Sequence, residues 1–530
     1  MKRSALLIHW FFDPQYGLTR HLLARWIFLR AVAAIYFSAF YSLVFQIKGL
    51  NGPQGILPAG NYLRAVARML PGISRFWFAP SLFWISASSH MLMAVTWIGL
   101  IAAVIAFVNI WPRLSLFVCF VCFLSFVAAA GDFSGYQSDG MLLEAGFLSL
   151  FLAPSGFLPG LAASSPPSRA SYFLLLWEWF RIYFESGMVK LLSGDTEWRN
   201  FTAMDDYYQN GPLPSWIGWY VAHAPHWFHV AATAGTLLLE FVIVLMLFFG
   251  RRARIVCCFI VTVWQIGVIL TGNYAFLNYL VLCLGFLLLD DRFLQPFVPR
   301  RFHIPRDSQS SQITPSITGS EVRLPLQTLQ VATAAVALTL IAYVTTAEML
   351  GMVWRDNPLP DEPIKALEPF RIANQYGLFA VMTRGRYEIE FQGSNDNQSW
   401  VAYPFRYKPQ ALNEAPGLYA PYQPRFDWNL WFASLGEWRQ NEIVPLAEER
   451  LLSDDPDVLA LFRGNPFPNA PPRYVRAVLW QYWFTSRKEK QQTGNWWRRT
   501  LLGQYAPTLT SGQDGKVSVV QPADDLPPHE

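Results

Sequence analysis

The chain has 530 residues, of which 53% are hydrophobic and 16% aromatic but only 15% charged, against about a quarter charged in an ordinary soluble domain. A net charge of +4 without a dominant Lys/Arg block excludes the basic footprint of a nucleic-acid partner. The five cysteines, Cys119, Cys122, Cys257, Cys258 and Cys283, all fall in apolar runs, so the C-terminal region holds no disulfide of its own.

The shortage of charge is confined to residues 26–347, while 348–530 reads as a water-soluble sequence. In chain order, Lys2-Arg3-Ser4 precedes an apolar run, Ala5 to Phe12, that is too short to span and lacks a small-residue cleavage site. It predicts a surface-lying helix in a cytoplasmic N-terminal segment, 1–25. A spanning helix needs about 20 apolar residues to cross ~30 Å of hydrocarbon. That criterion predicts about nine spans, near 26–46, 91–110, 114–130, 141–154, 170–192, 228–249, 254–272, 275–290 and 326–347. The first eight make a bundle over 26–298, and a Ser/Thr/Gln/Pro-rich linker, 299–325, leads to the ninth. Between the first two spans lie a Gly/Pro-containing stretch, Gly49 to Gly60, and an amphipathic segment with Arg64 and Arg68.

Lys/Arg asymmetry sets the orientation. Placing Arg251, Arg252 and Arg254 in the cytoplasm puts Lys2, Arg3, Arg113 and Arg169 there too. The acidic loop 193–215 and everything after the last span then fall on the other side. Lys48, Arg64, Arg68 and Arg75 run against this assignment. Beyond 348, Tyr387 to Gln392 alternates in the manner of a half-buried strand, Gly393 to Asn397 supplies a turn, and Ser399 to Tyr403 returns. Arg473 to Phe484 is a second β-rich run, whereas Leu446 to Leu452 and Pro456 to Phe462 are helical in pattern. The fold class is therefore a polytopic α-helical membrane protein with a β-rich α+β extramembrane domain, 348–505, and a disordered polar tail, 506–530.

The fifth span carries the most chemistry. Glu178, Arg181 and Glu185 project from one face at i, i+3 and i+7, and an unpaired charge in hydrocarbon costs roughly 2.5–3.5 kcal/mol on insertion scales. They form either an ion-pair staple between helices or the lining of a polar cavity. Lys190, about one turn further, either snorkels to the interface or acts as a catalytic base. Glu144 in the fourth span and Glu240 in the sixth are further buried carboxylates that each can partner Arg181 or Lys190. His223, His226 and His229 are spaced like ligands, but Pro225 interrupts their helix, and no metal is expected. No Walker, GxGxxG, nucleophile-elbow or metalloprotease pattern occurs, and no cofactor is expected.

Several segments closely resemble the lipase maturation factor family. They are Gln137-Ser138-Asp139-Gly140-Met141-Leu142-Leu143-Glu144-Ala145-Gly146-Phe147, Phe184 to Leu191, Trp198-Arg199-Asn200-Phe201-Thr202-Ala203-Met204 and Thr271-Gly272-Asn273-Tyr274 in the bundle. Downstream they are Asn374 to Phe379, Gly393 to Asp396, Pro424-Arg425-Phe426-Asp427-Trp428, Asn465 to Pro468 and Trp496 to Arg499. The resemblance marks Gln137, Asp139, Trp198 and Arg199 as family-motif residues. It implies a multi-span protein of the endoplasmic reticulum membrane, or of the inner membrane in a bacterium, with the C-terminal domain lumenal or periplasmic. It also implies a role in bringing secreted lipases to their active fold, hence a folding and maturation factor rather than an enzyme. Trp428, Trp431 and Trp438 are the aromatic residues best suited to contact such clients, although most tryptophans in the domain belong to its core. A more distant resemblance links Ser186-Gly187-Met188-Val189-Lys190-Leu191 to vitamin K-dependent gamma-carboxylase, whose lysine at this place is a catalytic base. It implies the alternative: a membrane-embedded enzyme using Lys190 on a lipid-soluble substrate or on exported side chains.

Overall fold

The computed structural model describes residues 2–299, 325–354, 357–512 and 515–526. Each predicted apolar segment is helical. After α1 (Lys2–Phe12) come α2 (Leu22–Val44), α3 (Ser89–Phe107), α4 (Pro112–Val127), α5 (Gln137–Leu152) and α6 (Arg169–Leu192). They are followed by α7 (His226–Leu238), α8 (Arg251–Thr271), α9 (Leu277–Gly285) and α10 (Pro325–Val353). Local chemistry sets several starts. Ser88 and Ser168 side chains accept from the backbone N–H groups of Met91 and Ser171, and Pro112 sits in the first turn of α4, where its missing N–H costs nothing.

Among the described residues, five helical segments are long and apolar enough to cross a membrane: Leu22–Val44, Ser89–Phe107, His226–Phe248, Arg251–Thr271 and Thr328–Val353. The expected nine is therefore not reached on length and composition. Both α4 and α5 have 16 residues, about 24 Å at 1.5 Å per residue, and α6 is long but charged. The last helix runs to Val353, beyond the expected 347. Most of the linker expected over 299–325 lies outside the described residues.

The C-terminal domain holds one antiparallel sheet in the order β2-β1-β3-β4-β5, formed by β1 (Arg386–Ser394), β2 (Val401–Ala402), β3 (Tyr474–Phe484), β4 (Trp497–Ser511) and β5 (Val517–Gln521). Helices α11 (Arg425–Ala433) and α12 (Ile443–Leu452) pack against it. Two expectations are corrected here. β1 is buried on both faces rather than one, because Arg386, Lys408 and Arg499 cover its polar face and pair with Glu388 and Glu390. The tail expected to be disordered from 506 instead continues β4 and turns into β5. Ala506 pairs with Ala477 and Leu509 with Val475, and the register shift between them takes up Pro507, which cannot donate to a ladder. Composition suggested disorder, but pairing with β3 gives the backbone its hydrogen bonds.

The domain seats on one end of the bundle. At that end Gln46 binds Gln423 and Arg425, and Asn273 binds Gly417 and Tyr419. The opposite end carries Arg251 paired with Asp290, and Asp291 accepting from Leu22 and Leu23.

Candidate functional site at the bundle–domain junction

The charges on α6 meet partners that are remote in sequence. Arg181, fully buried, pairs with Glu144 of α5, lies 4.0 Å from Glu185, and donates from Nη1 to the carbonyl of Asn374 at 2.5 Å. Asn374 belongs to the strip that precedes β1, and this strip is laid into the mouth of the bundle. Glu144 Oε2 accepts from the Asn374 backbone N–H at 3.0 Å and from Tyr376 Oη at 2.8 Å, while Glu185 Oε2 accepts from the Tyr376 N–H at 2.7 Å. Further along, Gln137 exchanges two hydrogen bonds with Gly377, Ser186 Oγ accepts from Leu378 N, and Trp198 Nε1 donates to Phe379 O. Burying charge is less costly where the groups find partners, and the strip supplies them for Arg181 Nη1, Glu144 Oε2 and Glu185 Oε2, while Arg181 Nε, Glu185 Oε1 and both Glu178 oxygens stay buried without a hydrogen-bond partner. Of the face read from the sequence, Glu178 is buried but makes no ion pair with Arg181; Glu144 takes that place.

Two more junctions repeat the device. Asp139, at the start of α5, holds Arg425 of α11 through two bonds of 2.7 and 2.8 Å, with both side chains fully buried. Asn273, after α8, donates to Gly417 O and accepts from the N–H groups of Tyr419 and Ala420. Arg199 stays exposed beside Leu191 and takes no part. Asn374, Tyr376, Arg425 and Asn273 were not singled out as site residues. The signal was available for Arg425, since a cation between aromatic residues needs a buried carboxylate somewhere.

Lys190 meets this network only at its edge, through Ser186 and Trp198. Its Nζ donates to Glu240 Oε1 at 2.7 Å and to Ser186 O at 3.3 Å, and sits 5.0 Å from the Trp198 ring. The three histidines point to different partners: His223 to Trp219 O, His226 to Asp205, and His229 to Met204 O and Ala224 O. No group of three metal-ligating side chains occurs among the described residues.

On the domain side of the strip lies a cavity of about 640 Å³. Trp428 and Trp431 line it with Phe432, Val381 and Met382. Both indole N–H groups are buried without a partner, Phe432 and Val381 are exposed, and Tyr136 stacks on Trp428 at 5.3 Å. Trp438 is half-buried against the core and outside this lining. In the water-facing part, burial pushes the Asp427 carboxyl up to about 6 against the opposing N–H groups of Tyr407 and Lys408. Burial, with Glu197 and Asp205 nearby, also lifts Asp206 to about 6.

Helices able to cross a membrane, and a β-rich domain fastened to one end of them by buried ion pairs, define an integral membrane protein whose two parts fold against each other. Family models describe the same two parts: that of the lipase maturation factor transmembrane domain matches residues 23–296, and that of the lipase maturation factor C-terminal domain matches 372–507. The chain belongs to the lipase maturation factor family. It is 31% identical over 513 residues to lipase maturation factor 1 of Bos taurus, covering 92% of this chain and 89% of the relative. To lipase maturation factor 2 of Gallus gallus it is 30% identical over 604 residues, covering 95% and 84%. No solved structure matches.

Proposed function

We propose that this protein is a membrane-anchored maturation factor for exported proteins, lipases by the names of its relatives, and that the cavity bounded by Trp428 and Trp431 receives the client. The observation that carries this reading is an aromatic hollow with exposed apolar rims at Phe432 and Val381 and two indole donors without partners. A partly folded chain offers the complement, apolar side chains and free carbonyls. The hollow lies on the end of the bundle opposite Arg251. With that arginine cytoplasmic, it faces the lumen of the endoplasmic reticulum or the periplasm, where secreted clients pass. Nine crossings in alternating direction are the arrangement that accords with this topology.

The test is co-expression with a secreted lipase, measuring lipase activity per unit of lipase protein. Phe432→Asp and Val381→Asp, both at exposed positions, should lower specific activity at least severalfold without lowering the factor's own level. Lys190→Ala distinguishes the enzymatic alternative. Nζ of Lys190 is engaged by Glu240 and Ser186 and is not part of the hollow's lining. If Lys190→Ala alone abolished maturation and the rim variants did nothing, client capture at this hollow would be wrong.

A further inference from the structure

A second cavity, of about 1010 Å³, lies within the bundle between α6, α7 and α8, of a size that takes a drug-sized or single-chain lipid ligand. Its outer rim is made of Phe259, Ile260 and Val263 of α8 and Leu238 of α7, all exposed on the apolar flank, so the way in is from the hydrocarbon. Its inner end is polar. Lys190 donates to one oxygen of Glu240, and Gln265 donates its amide N–H to Tyr183 Oη at 2.6 Å. What remains there is Glu240 Oε2 and Gln265 Oε1, each buried and without a partner, on residues less than a tenth exposed. A separate feature marks the same place. The helix carrying Glu240 departs from α-geometry into a π-turn over Leu239–Ile243, an irregularity frequently found at functional sites.

We infer that this cavity binds a neutral, single-chain lipid with a free hydroxyl, the chain between α7 and α8 and the hydroxyl donating to Gln265 or Glu240. The charge pattern selects this class. Both atoms without a partner are acceptors, so a head that donates satisfies them. A fatty carboxylate brings a second anion against Glu240, and an ammonium brings a second cation against Lys190. An uncharged alcohol meets neither.

The full-length protein in phosphatidylcholine nanodiscs is labelled with a diazirine-bearing hexadecanol and, separately, with the matched diazirine-bearing palmitic acid, and the modified peptides are mapped by mass spectrometry. The expected result is saturable labelling of 226–271 by the alcohol, competed by excess unlabelled hexadecanol and at least tenfold weaker for the acid. Gly267 lines the cavity, and a Cβ there meets nothing within 4 Å. Gly267→Phe therefore fills the mouth and should abolish the saturable labelling. At the inner end, Gln265→Leu should weaken it severalfold, an independent check if the first variant fails to fold. Labelling that is non-saturable, equal for acid and alcohol, or indifferent to both variants means that only annular lipid is being read, and overturns the inference.

Discussion

Glu144→Gln is the sharpest test of the junction. It keeps the side-chain shape and removes the charge that Arg181 relies on, leaving that fully buried guanidinium with Glu185 at 4.0 Å. Breaking a buried pair by neutralising one partner costs about 3–5 kcal/mol. At about 1.4 kcal/mol per tenfold, the strip around Asn374 and Tyr376 should open some two to three and a half orders of magnitude more often. Hydrogen exchange reads this directly, because the amides of Asn374, Tyr376 and Leu378 donate to Glu144, Glu185 and Ser186. Their protection in the peptide covering 371–380 should fall by that factor, while β3 and β4 keep theirs. Tyr376→Phe removes one bond to a charged acceptor, about 1.5–3 kcal/mol, and should give a smaller loss in the same peptide. Unchanged protection in Glu144→Gln, with the protein intact, would refute the claim that these charges hold the strip.

Other consequences follow from neighbouring contacts. Asp139→Leu and Arg425→Met should each destabilise the protein in detergent by about 3–5 kcal/mol, and the double variant by less than their sum; additive melting shifts argue against a coupled pair. A Cβ at Gly146 would lie 1.9 Å from Tyr36 Oη and one at Gly140 2.9 Å from Asn374 Oδ1. Gly146→Ala should therefore lower the melting temperature by displacing α2, and Gly140→Ala should deprotect the 371–380 peptide. Asp427 binds its proton more tightly folded than unfolded, about 6 against 3.8. Its contribution is full below pH 3.8 and is lost as pH rises through about 6, roughly 3 kcal/mol over that window. Asp427→Asn keeps an acceptor for Tyr407 and Lys408 and should flatten the stability–pH curve between pH 4 and 6; an unaltered slope contradicts this.

The apolar runs and their Lys/Arg flanks were enough to identify a membrane bundle, since the demand that backbone in hydrocarbon be helical acts on each segment alone. Strand β1 was legible from its alternation for the same local reason. Arg181 and Lys190 announced themselves as charges that must be paired, because the cost of leaving them unpaired does not depend on the fold. Which group pairs with each was another matter. Glu144 lies 37 residues from Arg181 and Asn374 lies 193, and no periodicity links them. The second face of β1 is covered by Lys408 from a loop and Arg499 from β4, and β4 continues past 506 paired with β3. The π-turn at Glu240 packs against α6 and α8, both distant from it in sequence or across a loop. Local energetics settled what each segment becomes, and only the assembled bundle and domain decided which buried charges meet, because those contacts form between segments that the chain keeps far apart.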